Sequence, residues 1–118
     1  MIAILLVYML AAGAPTGAAS ERPELQCNTG PATKQFGSTS WLVYACDDDR
    51  SVVVVAAPPS PASPFVFVVT PNGTGGIELH GEGTGERSAT QPAYDSLSSI
   101  SSTELSALWQ QAKQAGGN

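Results

Sequence analysis

The chain has 118 residues, with ten acidic and five basic side chains for a formal charge of −5. That length holds one domain. The acidic balance argues against nucleic acid, whose phosphates need a basic patch, and it disfavours anionic membrane surfaces.

The first stretch, MIAILLVYMLAAGAPTGAAS, stands apart from the rest. Ile2 to Ala12 form a short apolar core, followed by Gly13 and Pro15 as breakers and then by small residues. Gly17 and Ala19 suit the −3 and −1 positions of a signal-peptidase site, so residues 1–19 are expected to be a removed signal peptide. The apolar run is shorter than the ~20 residues a membrane span needs. No Lys or Arg precedes the run, which points to a late start or a missing part of the n-region, and an uncleaved membrane anchor is the alternative reading. The mature protein is therefore expected to be periplasmic or secreted, with no membrane insertion after signal removal. In that setting the two cysteines read as one disulfide, Cys27–Cys46. Such a bridge is expected to contribute about 3 kcal/mol in the chain-entropy account. A redox pair is the other reading, but the cysteines are not in CxxC spacing.

Residues 20–38 are rich in Pro, Gly, Thr and Asn and have no sustained period. They read as an N-terminal arm, tied by Cys27 to a single α+β domain over 39–118. Thr39–Cys46 is the first expected strand, with Trp41, Val43 and Ala45 on one face and Leu42, Tyr44 and Cys46 on the other. Asp47-Asp48-Asp49 follows as a polar hairpin corner. Ser51–Ala57 is a β-branched run, apolar on both faces. The link PPSPASP, Pro58 to Pro64, is too rich in proline to continue a strand and is expected to be extended and stiff. Phe65–Thr70 is again apolar on both sides. Asn72-Gly73 then signals a turn. Ile77–Glu82 alternates, with Ile77 and Leu79 opposed to Glu78, His80 and Glu82. Its polar face places that last strand at an edge, and the two doubly apolar strands in the middle.

After GEGTGERS the period becomes helical. Pro92–Ser98 is expected as a short helix with Tyr94 and Leu97 facing inward. A clearer helix begins at Ser101, where Ser101 and Glu104 have the spacing of a capping box. Leu105, Leu108, Trp109 and Ala112 form one apolar stripe, Lys113 sits in the last turn, and Gly116-Gly117 ends it. The expected fold class is α+β, a four-stranded antiparallel meander with C-terminal helices packed on one face.

Two resemblances rest on these residues. FGSTSWLVYACDDDRSVVVV, SPASPF and GIELHGEGTG are similar to small exported proteobacterial proteins of uncharacterised function, which bring no catalytic residues to transfer. VYACDDDRSVVVV, a Tyr-x-Cys strand before a polar turn, resembles a segment of periplasmic inhibitors of c-type lysozyme. The second resemblance implies a small β-barrel without a terminal helix, and no stretch here corresponds to the inhibitory loop.

Several clusters invite chemistry. Three aspartates suit Ca²⁺ in ligand type, but consecutive residues in a turn point apart and the spaced calcium-loop pattern is absent. Arg50 directly follows to neutralise one of them, so a solvated corner is expected. Glu78, His80 and Glu82 share a strand face at neighbouring positions about 7 Å apart. A His between carboxylates can move protons or bind a metal, yet one His without a free thiolate supplies no closed zinc site. HGEGTGE lacks the spacing of a phosphate loop, and its glutamates would repel phosphate. The serines from Ser96 to Ser102 lack a nucleophile elbow. Trp41 and Trp109 occupy inward positions and read as core.

The faces leave one imbalance. If Val53, Val55, Val66 and Val68 alternate against Val52, Val54, Phe65 and Phe67, a helical layer covers only one set. The first four are the expected binding surface, met by a protein partner or by a second copy. The functional expectation is a small exported binding module without a catalytic centre or cofactor, inhibiting or stabilising an envelope protein. The alternative is a small metal-dependent or acid/base enzyme using Glu78, His80 and Glu82.

Overall fold

Alternating side chains build five antiparallel strands in the computed structural model, which describes residues 25–116. β1 (Thr29–Phe36), β2 (Thr39–Ala45), β3 (Val52–Ala56), β4 (Phe65–Pro71) and β5 (Ile77–Gly83) pair in chain order. α1 (Arg87–Ser98) and α2 (Ser102–Ala115) follow them. The fold is α+β, as expected, with one strand more than the four expected. The signal peptide expected over 1–19 lies outside the described residues.

The added strand, β1, lies within the stretch read as an arm. TGPATKQF has one large apolar residue, Phe36, so its own sequence carries no period-2 signal. Pairing with β2 supplies the order instead, through Ala32↔Val43, Thr33↔Leu42 and Lys34↔Trp41. The register slips between Thr29 and Ala32, where Gly30 has φ 138°. A Cβ at Gly30 would stand 2.9 Å from the Val43 carbonyl oxygen, so the bulge selects glycine for space as well as for φ.

Register then decides the core. Val43, Val54 and Phe67 lie side by side across β2, β3 and β4, as do Ala45, Val52 and Val69. Together with Trp41 they are buried against Ala89, Ala93 and Leu97 of α1 and Leu105, Leu108 and Ala112 of α2. The Trp41 and Phe67 rings are 5.3 Å apart, and those of Phe65 and Phe67 are 4.9 Å apart. α2 begins as its sequence indicates. Ser101 Oγ accepts from the Glu104 amide at 3.1 Å, and Glu104 Oε1 accepts from the Ser101 amide at 2.9 Å. The box satisfies helix-end donors that would otherwise need water.

Two expectations are corrected here. α1 begins at Arg87 rather than Pro92, and holds Pro92 inside it. Its inward line is Ala89, Ala93 and Leu97, which turns Tyr94 outward to 43% exposure rather than into the core. Proline suits the first turn of a helix, which is why the sequence alone suggests a start there. The link from Pro58 to Pro64 is not extended. Ser60 donates to the Ala57 carbonyl at 2.9 Å and Ser63 to the Ser60 carbonyl at 3.0 Å, so it folds into two turns around a fully buried Ala62. The glycine-rich segment after β5 clamps onto it. Thr84 and Gly85 donate to the Pro64 carbonyl at 3.0 and 3.1 Å, and Glu86 donates to that of Pro61 at 3.0 Å. A Cβ on Gly85 would overlap the Ala62 carbonyl, so backbone contact explains the glycine.

Leu108 is 7% exposed, whereas Gln110 lies on the solvent side of α2. Leu108→Ala is expected to cost about 2–5 kcal/mol in urea unfolding. Gln110→Ala is expected to stay within about 0.5 kcal/mol of the parent. Comparable losses at both positions would contradict the observed helix face.

Candidate functional site

Both helices pack on one face of the sheet, and the other face has neither over it. The uncovered face can be followed strand by strand through the register. One row runs Thr33, Leu42, Val55, Val66, Glu82 from β1 to β5, and a second runs Tyr44, Val53, Val68, His80 from β2 to β5. Thr70 and Glu78 pair beyond them. Val53, Val55, Val66 and Val68 therefore form a contiguous patch with Leu42 and Tyr44. All six are half-buried, shielded by their strand neighbours. Their alternates Val52, Val54 and Phe67 are fully covered on the helical side. At one end the patch deepens into a groove of about 400 Å³, bounded by Leu42, Val55, Val66, Pro58, Pro64 and Glu82.

Glu78, His80 and Glu82 lie along β5 on this same open face, and all three are exposed. They border the valine patch on one side, while Thr33 and Gln35 of β1 border it on the other. Among the described residues, no group of three or more His, Cys, Asp or Glu side chains is placed to hold a metal ion. What the strand offers is an acidic strip beside an apolar field.

The three aspartates do separate work at the β2–β3 corner. Asp47 exchanges two bonds with Gln26, donating its amide to the Gln26 carbonyl at 2.8 Å and accepting from the Gln26 amide at 3.2 Å. Asp48 Oδ1 accepts from the amides of Arg50 and Ser51 at 3.0 and 2.8 Å, and Oδ2 from the Ser51 hydroxyl at 2.6 Å. Asp49 takes the left-handed position at φ 65°. The Asp48 bonds to the local backbone are what aspartate does in turns. Burial acts to raise the Asp48 pKa, but the Ser51 hydroxyl, the Ser51 and Arg50 amides and the Arg50 guanidinium outweigh it. The carboxyl is held below the usual 3.8.

Cys46 directly follows β2 beside this corner and is bonded to Cys27. Its carbonyl accepts from Trp109 Nε1 at 2.9 Å, so Trp109 is a half-buried strut between α2 and the corner. Trp41 is fully buried. A feature the sequence reading missed lies on the helical side of β5. Gly81 and Gly83 continue the face of Ile77 and Leu79, but without side chains. A pocket of about 380 Å³ stands over them, walled by Phe65, Phe67, Arg87 and Tyr94. The signal available was the period itself, an apolar face ending in two glycines. Compared with known proteins, the chain matches no family model, no curated protein and no solved structure.

A carboxyl whose pKa is depressed on folding stabilises the fold fully above its unfolded value, near 3.8, and loses that contribution as pH falls through the lower folded value. Asp48→Ala is expected to cost about 1–3 kcal/mol at neutral pH. The gap between parent and variant should narrow as unfolding is measured at progressively lower pH below 3.8. A gap that widens on acidification would contradict the assignment.

Proposed function

We propose that the protein is an exported binding module without a catalytic centre, and that it docks a partner protein on the open face of its sheet. The observation that carries this reading is the one-sided cover. Val53, Val55, Val66 and Val68 form an apolar field that neither helix reaches, although the equivalent positions opposite are sealed. Contiguous apolar surface rimmed by polar groups marks interaction sites. The acidic border at Glu78 and Glu82, within a chain of charge −5, selects a partner with an apolar patch and a basic rim.

The rest of the chain is consistent with such a role. The Cys27–Cys46 disulfide and the lack of a membrane-spanning helix among the described residues are compatible with an extracellular location. Inhibiting or stabilising an envelope protein is work that a small rigid face can do by occlusion alone. The alternative, catalysis at Glu78, His80 and Glu82, has three exposed side chains along one edge strand and no opposing wall to exclude water.

Val53 lies in the middle of the open face, while Val54 is fully buried beneath the helices. Val53→Asp is expected to lower capture of the partner from the native envelope at least about tenfold, as losing a central apolar contact does. It should leave the disulfide intact and shift the melting temperature far less than Val54→Asp. Equal unfolding by the two substitutions, or undiminished capture by Val53→Asp, would refute the open-face reading.

A further inference from the structure

The sheet has two edges, and they are built differently. β1 carries Pro31, a register slip between Thr29 and Ala32, and Lys34 at an inward-facing position, all features that discourage another strand from pairing. β5 has none of these. Its seven residues, IELHGEG, pair with β4 in unbroken register from Ile77 to Gly83, with no proline, lysine or bulge. Among the described residues, no strand pairs with its outer edge. The segment from His80 to Gly83 is exposed throughout. A straight edge of this kind is a template for main-chain hydrogen bonding to an extended segment.

The two faces of β5 specify what that segment would carry. A strand added beside β5 alternates its side chains between the two sheet faces. On the open face its residues would meet Glu78, His80 and Glu82, and opposite charges on adjacent strands attract. On the helical face they would meet Gly81 and Gly83, which present no side chain of their own. The pocket walled by Phe65, Phe67, Arg87 and Tyr94 stands directly over those glycines. A Cβ on Gly81 would lie 2.9 Å from both Phe65 Cε1 and Phe67 Cε1, so the two rings already occupy the space beside it. An incoming ring would stack on these aromatics and meet the Arg87 guanidinium at the rim.

We propose that the outer edge of β5 binds an extended peptide segment in which basic residues alternate with aromatic ones. The basic side chains pair with Glu78 and Glu82, and an aromatic side chain enters the pocket over Gly81 and Gly83. A second copy of this chain is the wrong occupant. Antiparallel pairing of two β5 strands about His80 would set Glu78 of each against Glu82 of the other, and like charges placed opposite destabilise a sheet. The acidic strip thus acts as a filter, repelling self-association while admitting a basic strand. This surface is continuous with the open valine face, yet it rests on separate observations and has its own test.

The test uses the oxidised protein and a fluorescently labelled synthetic peptide of alternating Lys and Phe. Three controls alternate Glu with Phe, alternate Lys with Ser, or hold Lys and Phe in separate blocks. Anisotropy titration is expected to show binding of the Lys-Phe peptide that weakens with added salt. The peptide should slow amide exchange within residues 77–83. Glu78→Lys combined with Glu82→Lys should weaken binding by about tenfold or more, from two reversed cross-strand pairs. Circular dichroism would confirm that the double variant is folded. Val53→Asp, three strands into the open face, should leave peptide binding unchanged, so failure of the partner-face reading and failure of this one are separable. Equal binding of the Glu-Phe, Lys-Ser or block peptides, unchanged exchange in 77–83, or a dimer of the parent protein that by itself slows exchange in 77–83 would each overturn the proposal.

Discussion

The structure hangs on one residue just past the end of β2. Cys46 is bonded through sulfur to Cys27, which anchors the segment leading into β1. Its amide donates to the Ser51 carbonyl at 2.9 Å across the corner, and its carbonyl receives the Trp109 indole of α2 at 2.9 Å. The incoming chain, the hairpin corner and the last helix therefore meet at a single residue, itself 2% exposed. Asp47 reinforces the same junction through its two bonds to Gln26. A small domain has a thin core, so a covalent tie at this junction is expected to supply a large share of its net stability.

The junction also fixes where the helices lie. Trp109 holds α2 over the β1–β2 side of the sheet, and its capped start is set near the β4–β5 turn, where the Ser102 amide donates to the Gly75 carbonyl at 3.0 Å. α1 meets the β1–β2 turn at Gly37, where a Cβ would crowd Pro92. Both helices are thereby committed to one face. The side chains agree with that choice. The covered face mixes Trp41 and Phe67 with Ala45 and Ala56, a large-and-small set that interdigitates with helices. The open face is more uniform, with four valines at its centre.

Apolar β-branched and aromatic runs between turn signals made β2 to β4 legible, alternation made β5 legible, and the Ser101–Glu104 spacing made the start of α2 legible. In each case the local pattern and the tertiary environment ask for the same residues. The departures share a different cause. β1 is ordered by pairing with β2 and by the disulfide, neither of which leaves a pattern in TGPATKQF. α1 tolerates Pro92 because Ala89, Ala93 and Leu97 bury a face that outweighs the local preference. The Pro58–Pro64 link folds around Ala62 because the GEGTGE segment supplies donors from far along the chain. The opposition of Val53, Val55, Val66 and Val68 to Val52, Val54, Phe65 and Phe67 could be derived from alternation alone. Which set the helices would take depended on three-dimensional anchoring.

The glycines of β5 bring these threads together. A strand that continued Ile77 and Leu79 with two further large residues would complete the core and close the pocket beneath Arg87 and Tyr94. Such side chains would also collide with Phe65 and Phe67, whose rings already lean across Gly81. The aromatics on β4 thus require small residues on β5, and the small residues leave β5 with an open flank. At the opposite edge, the Gly30-Pro31 bulge and Lys34 close β1 to pairing. One sheet therefore has a helix-covered face and an open one, and a guarded edge and an open one, and the open face and the open edge meet along Glu78, His80 and Glu82.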